Sequence, residues 1–175
     1  GWPDPELHST VRDLAILADY IIKTYPEYYP LFEEKEFTWN GIHQRNRNPL
    51  LYDAIGVDGL KTGHTEEAGY SLTASAERDG RRIILVVNGL PSERARAEET
   101  KRLLEWAFRE FKDYTLFTAG QPVDAAPVWL GGPRTVPLVV ANDLKLTLPA
   151  GFGKERPKVM VHYVGPIPAP IRRGQ

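Results

Sequence analysis

Apolar positions recur at helical spacing first over residues 10 to 25, where Val11, Leu14, Ala15, Ala18, Ile21 and Ile22 form one stripe. Thr10 followed three residues later by Asp13 fits an N-terminal cap, and Tyr25-Pro26 supplies the stop. The pattern then changes period. Phe37 and Trp39 alternate with polar residues up to Asn40-Gly41, a two-residue turn, and a return segment follows. "GLKTG" reads as a short strand, and "GYSLTASAERDGRRIILVVNG" as a hairpin closed at Asp79-Gly80. A second helix is expected over residues 92 to 112, with Thr100, Leu103, Leu104, Ala107, Phe108 and Phe111 as its apolar stripe. Glu98 with Arg102, and Glu105 with Arg109, are expected pairs on its wet side.

Helical periodicity ends near residue 114, and nine of the 15 prolines lie from Pro122 onward. Four apolar or alternating runs, at 128–130, 136–140, 144–148 and 159–163, are separated by turn-forming residues. The expected organisation is an α/β piece over 1–113 followed by a small all-β unit over 114–175.

Composition narrows the chemistry. Twenty-two basic residues against 23 acidic ones leave no field that would attract nucleic acid. The absence of cysteine removes disulfides, thiolate metal sites and a cysteine nucleophile together. His8, His43 and His162 are isolated, no histidine–carboxylate pattern has metal-ligand spacing, and no cofactor is expected. No apolar run approaches the length of a membrane span, and "GWPDPELHS" lacks the features of a signal peptide.

The chemistry concentrates in "VDGLKTGHTEEAGY", residues 57–70, where a cation and a hydroxyl interrupt a strand. The tripeptide Lys-Thr-Gly alone carries little weight, since it turns up by chance in roughly a few per cent of chains this long. Its setting carries more. With "STVRDLA", "EKEFTWNGI", "NRNPLLYD" and "RAEETKRLLEW" in order around it, the stretch resembles the serine D-alanyl-D-alanine carboxypeptidases, the low-molecular-mass penicillin-binding proteins. The resemblance covers essentially residues 8–112. It implies an α/β (α+β) partial β-lactamase-like transpeptidase domain ahead of the β-rich unit.

In that family the Lys-Thr-Gly strand borders the active site opposite a serine nucleophile. By resemblance, Lys61 lends positive charge and Thr62 donates to the substrate's terminal carboxylate. Gly63 lets the peptide lie close, and the His64 amide completes an oxyanion hole. A general-base role for the His64 imidazole is not implied. Arg47 and Arg96 match basic positions near the carboxylate, whereas Arg45 and Arg94 read as surface residues. The implied partners are a peptidoglycan stem peptide ending in D-Ala-D-Ala and, as inhibitors, β-lactams. The implied location is the periplasm, with the parent held to the membrane by a C-terminal amphipathic helix that these residues lack.

Two family motifs are missing from the 175 residues. Three positions beyond Ser9, Ser71, Ser75 and Ser92 stand Arg12, Ala74, Arg78 and Ala95, so there is no Ser-x-x-Lys. Two positions beyond them stand Val11, Thr73, Glu77 and Arg94, so there is no Ser-x-Asn. Arginine cannot replace the lysine, because guanidinium does not deprotonate at usable pH. The expectation is a C-terminal part of such an enzyme, inactive alone, with the missing N-terminal half as a complementary chain. The trailing β-rich unit is expected to be truncated. A sheet without its helical half is expected to expose an apolar face and unpaired edges, leaving the chain marginally stable. The rival readings are a non-catalytic peptidoglycan-binding or scaffolding module, and a β-lactamase or esterase relative.

Overall fold

A computed structural model describes residues 4, 6, 8–152, 158–172 and 174. The chain divides into two compact units, Gly1–Arg109 and Glu110–Gln175.

The first unit is built on a three-stranded antiparallel sheet in the order β3 (Val57–Thr65), β4 (Gly69–Arg78), β5 (Arg81–Leu90). Helix α1 (Val11–Thr24) begins where its cap requires. The Thr10 hydroxyl accepts the Asp13 N–H at 3.1 Å, and the Asp13 carboxylate accepts the Thr10 N–H at 3.1 Å. Ala18, with Ile21 and Ile22, packs against Tyr29, Leu60 and Ile84. Helix α2 (Glu93–Glu110) joins the other cluster: Leu104 lies fully buried with Leu72, Ala74, Ala76 and Val87, which recur every second residue on β4 and across on β5. Strand β4 is therefore the buried spine.

Two hairpins follow their turn signals. Asn40-Gly41 (φ 49° and 74°) and Asp79-Gly80 (φ 52° and 73°) are left-handed at both central positions, the backbone that joins twisted strands without splaying them. The first turn joins β1 (Glu36–Trp39) to β2 (Ile42–Arg45).

Several expectations need correction. The "GLKTG" strand runs nine residues rather than five, because its first residues pair with Ala76 and Ser75 of β4. Helix α2 stops at Glu110, so Phe111 belongs to no helical stripe; it opens β6 (Phe111–Phe117), whose partner is β9 (Leu144–Pro149). Glu98 is held by Arg94 at 2.7 Å, not by Arg102, which turns to Glu99 at 2.6 Å. Glu105 accepts two hydrogen bonds from Arg78, at 3.0 and 2.6 Å, with Arg109 exerting a weaker pull. The apolar stripe of α1 is covered only in part: Val11 and Leu14 are exposed, as are Ile16 and Leu17. Exposed apolar surface thus sits on α1, at Tyr28 and Leu31 beyond it and on the β1–β2 hairpin, while each face of the three-stranded sheet carries a helix.

The second unit is all β among its described residues. β7 (Pro122–Trp129) pairs antiparallel with β8 (Thr135–Val139) and parallel with the short β10 (Ile167–Pro168). β6 and β9 form a separate pair, and Ala126 is its unit's fully buried hydrophobic residue among those described. The expected strands at 136–140 and 144–148 correspond to β8 and β9. The run at 128–130 is the end of a strand that starts at Pro122, and Leu130 leaves it with φ 60°. Residues 159–163 form no strand.

Candidate active-site strand

Strand β3 has one neighbour, β4, so among the described residues its other edge is open. An open antiparallel edge presents alternate N–H and C=O groups to an incoming extended chain. The residues singled out in the sequence lie along this edge strand.

Lys61 is exposed and lies across from Thr73; its ammonium folds back to donate to the Thr62 carbonyl oxygen. Thr62 is 8 % exposed and opposite Leu72. Its hydroxyl makes no hydrogen bond among the described residues, which leaves it uncommitted for a ligand. A Cβ on Gly63 would stand 2.6 Å from the Ser71 Oγ of the neighbouring strand, so glycine here answers a crowding inside the sheet as well as the approach of a ligand.

His64 lies across from Tyr70, and the two rings stack at 3.9 Å with 26° between planes. Arg96, from the first turn of α2, places its guanidinium 5.7 Å from the centre of the same Tyr70 ring. Ser92 caps that helix by accepting the Ala95 N–H at 3.1 Å, and Thr100 bonds the Arg96 carbonyl oxygen at 2.7 Å. Arg96 is 4 % exposed, and its Nε has no hydrogen-bond partner among the described residues. Its one carboxylate neighbour among the described residues, Glu93, is itself exposed and 3.9 Å away. A buried cation with spare donor capacity is costly unless an anion completes it. The fold therefore gathers Arg96, Tyr70 and His64 into one layer beside Lys61 and Thr62.

Arg47 is different. It is exposed, and its guanidinium makes no ion pair or hydrogen bond among the described residues. Its neighbours are fixed: Asn46 donates to the carbonyl oxygens of Phe32 and Glu34 at 3.2 and 2.9 Å, and buried Asn48 donates to the Gly59 carbonyl oxygen of β3 at 2.9 Å. The loop that carries Arg47 is thereby tied to β3 two residues before Lys61.

Beneath the start of β3 lies a polar cluster the sequence did not announce. Tyr29 donates to Asp58 at 2.8 Å, and Arg82 bonds Asp58, Ser75 and Glu77 at 2.6, 2.6 and 2.5 Å. Burial pushes the Tyr29 phenol well above its usual range, and Asp58 adds to the shift. Beside this cluster is a cleft of about 510 Å3 lined by Glu33, Asp58, Glu77 and Asp79 against one Lys35. Asp58 and Glu77 are already paired with Arg82, and the rest of the charged lining sets Glu33 and Asp79 against Lys35, so the cleft offers a carboxylate-ended ligand no excess of positive charge. No group of histidines and carboxylates suited to a metal ion occurs among the described residues.

Tyr70 and Asn48 escaped the sequence reading. Asn48 before Pro49 has the form of a cap, and it does accept the Leu50 N–H at 3.2 Å; its bond to β3 depends on tertiary contact.

The family model for D-alanyl-D-alanine carboxypeptidase matches residues 1–92, and that for the penicillin-binding protein 5 C-terminal domain matches residues 111–175. The chain belongs to the D-alanyl-D-alanine carboxypeptidase family. It is 43 % identical over 157 residues to the D-alanyl-D-alanine carboxypeptidase DacA of Haemophilus influenzae, covering 89 % of this chain and 40 % of that relative. It superposes on penicillin-binding protein 5 of the same organism with a TM-score of 0.86 at 40 % identity, covering 100 % of this chain and 52 % of that one. Penicillin-binding protein D2 of Listeria monocytogenes in its cefotaxime-bound form matches at TM-score 0.57 and 35 % identity, covering 62 % of this chain and 45 % of that one. The carboxypeptidase-family chain spans about two fifths of the length of the curated relatives it matches. Its two units are thus the end of a penicillin-binding transpeptidase domain and a β-rich penicillin-binding protein 5 C-terminal domain. No helix among the described residues is long and apolar enough to cross a membrane.

Proposed function

We propose that this chain is the substrate-recognising side of a serine D-Ala-D-Ala carboxypeptidase acting on peptidoglycan stem peptides. The observation that carries the reading is Arg96, a buried cation with an unpartnered Nε set beside an open strand whose Thr62 hydroxyl is uncommitted. A peptide's terminal carboxylate supplies the missing anion, and its backbone adds to the β3 edge. Lys61 brings a second positive charge, and the His64 amide stands ready for the carbonyl oxygen under attack. Arg47 guards the entrance from its braced loop. The serine and its lysine partner come from residues outside these 175, and the acyl-serine step belongs to them. β-Lactams would acylate that serine, in the periplasm where peptidoglycan lies.

Titration with an N-acylated D-Ala-D-Ala peptide, followed by NMR, tests the recognition. The free acid is expected to shift the amides of Lys61, Thr62 and His64, and the C-terminal amide is expected to bind roughly tenfold or more weakly, as loss of a charge-assisted bond implies. Equal binding of acid and amide would defeat the reading. The chain alone is expected to take no covalent label from a fluorescent penicillin, and a complementary chain carrying Ser-x-x-Lys is expected to restore labelling. The same strand also serves a non-catalytic peptidoglycan-binding module; restored labelling separates the two. A β-lactamase or esterase relative is disfavoured by the match of residues 111–175 to the penicillin-binding protein 5 C-terminal domain.

A further inference from the structure

The β1–β2 hairpin is built the wrong way round for a hairpin that packs on a core. All eight of its strand residues are exposed. Directly opposed residues share a face, so Phe37, Gln44, Trp39 and Ile42 lie on one side, and Glu36, Arg45, Thr38 and His43 on the other. The polar side is the satisfied one. Glu36 lies 3.8 Å from His43, Thr38 meets the His43 ring at 3.3 Å, and Arg45 caps the Tyr52 ring at 4.5 Å, which anchors this side to the body. The other side holds Phe37 (63 % exposed), Trp39 (70 %) and Ile42 (61 %) in solvent. The Phe37 and Trp39 rings are near-parallel, 9° between planes with centres 6.5 Å apart. A contiguous exposed apolar patch of this kind marks an interaction surface.

Area and charge choose the occupant. Three such side chains offer roughly 500 Å2, short of the roughly 800 Å2 per partner of a stable protein interface, so a second copy is a poor fit. The face carries no charge, and its polar group, the Gln44 amide, both donates and accepts. Parallel aromatic faces with an amide at the rim suit successive rigid rings of a neutral polymer that have an apolar C–H face and hydroxyl edges. The hairpin also runs directly into the Asn46–Arg47–Asn48 loop tied to β3. Asn48 stands six positions beyond Ile42, so the patch lies within about 20 Å of that tie, the span of an extended peptide of about six residues.

We infer that the Phe37–Trp39–Ile42 face binds the glycan strand that bears the stem peptide. This rests on the peptidoglycan reading of the β3 site and adds a second contact to it. The glycan on the hairpin and the peptide terminus at Lys61 would then be held at once, raising the local concentration of the scissile end.

The test uses the 175-residue chain with peptide-free glycan strands, an acyl-D-Ala-D-Ala peptide and anionic phospholipid vesicles, following the Trp39 indole resonance. Glycan strands are expected to shift that resonance. Phe37→Ala and Trp39→Ala are expected to weaken glycan binding roughly tenfold, while Trp39→Phe keeps most of it. All three side chains are in solvent, so the variants are expected to fold; dipeptide shifts at β3 serve as the control. Glycan strands that leave Trp39 unmoved, Ala variants that bind as wild type, or a resonance that responds only to vesicles or to protein concentration would each overturn the inference. Failure of the dipeptide to reach β3 strikes the carboxypeptidase reading separately, because its signals are on a different strand.

Discussion

At Gly63 the side chain that is missing matters to both neighbours, the ligand edge and Ser71. Alanine there would put a methyl 2.6 Å from the Ser71 Oγ but 3.9 Å from the Ser71 Cβ. Gly63→Ala is expected to cost about 1–3 kcal/mol, as overpacking does, and Ser71→Ala in the same chain to return most of it. Urea unfolding of the two single variants and the double variant measures the coupling; purely additive losses would mean that the crowding is not the reason for the glycine. The residue scale also contains the least legible parts of the site. Lys61, Thr62 and His64 stand together in the sequence, yet the burial of Arg96 and its approach to the Tyr70 ring come from a register that pairs His64 with Tyr70 and a helix capped by Ser92.

Elements are held to one another by few but well-shaped contacts. The tip of the β4–β5 hairpin is fastened to α2 by Arg78, which grips Glu105 with two bonds, donates to the Ile55 carbonyl oxygen at 2.8 Å and lies 4.4 Å over the Phe108 ring. The Arg78 hydrogen bonds lower the Glu105 pKa. A lowered folded pKa means that this contribution is present above the ordinary glutamate value of about 4.3 and fades as pH falls through the lower folded value. Both side chains are partly exposed, so Glu105→Gln is expected to cost only about 0.5–1 kcal/mol at neutral pH. Its stability is expected to converge with that of wild type once the pH falls below the lowered folded value, measured by thermal melts across the range. An unchanged difference at acid pH would show that the lost shape, and not the charge, was responsible. Where elements begin was legible when the signal was local, as with the Thr10–Asp13 cap and the Asn40-Gly41 and Asp79-Gly80 turns. Where they end was less so: α2 yields to β6 at Phe111 because that residue finds Pro149 of β9 as a partner.

On the scale of the whole molecule, the unusual feature is apolar surface on α1 outside its packed stripe. Val11, Leu14, Ile16, Leu17 and Tyr20 are all exposed on one helix. The chain is expected to bind the dye ANS while retaining a cooperative melt, and to self-associate on concentration. Ile16→Lys with Leu17→Glu is expected to reduce both dye binding and self-association without lowering the melting temperature, since neither residue joins a core cluster. Dye binding undiminished in the double variant would assign it to other exposed apolar surface, such as the β1–β2 hairpin.

The sequence by itself determined what local backbone chemistry can write: one capped helix, two left-handed hairpin turns, a second helix, a proline-rich β unit, and a Lys-Thr-Gly strand without its serine. Those features depend on residues within a few positions of one another. Only the tertiary structure decided which strand became the edge, that Asp58 would be neutralised by Arg82, that Arg96 would be buried beside Tyr70, and that Phe37 and Trp39 would face solvent. Each of these depends on groups brought together from distant parts of the chain. No period or turn signal encodes whether a cation will find its carboxylate or an aromatic ring its cover.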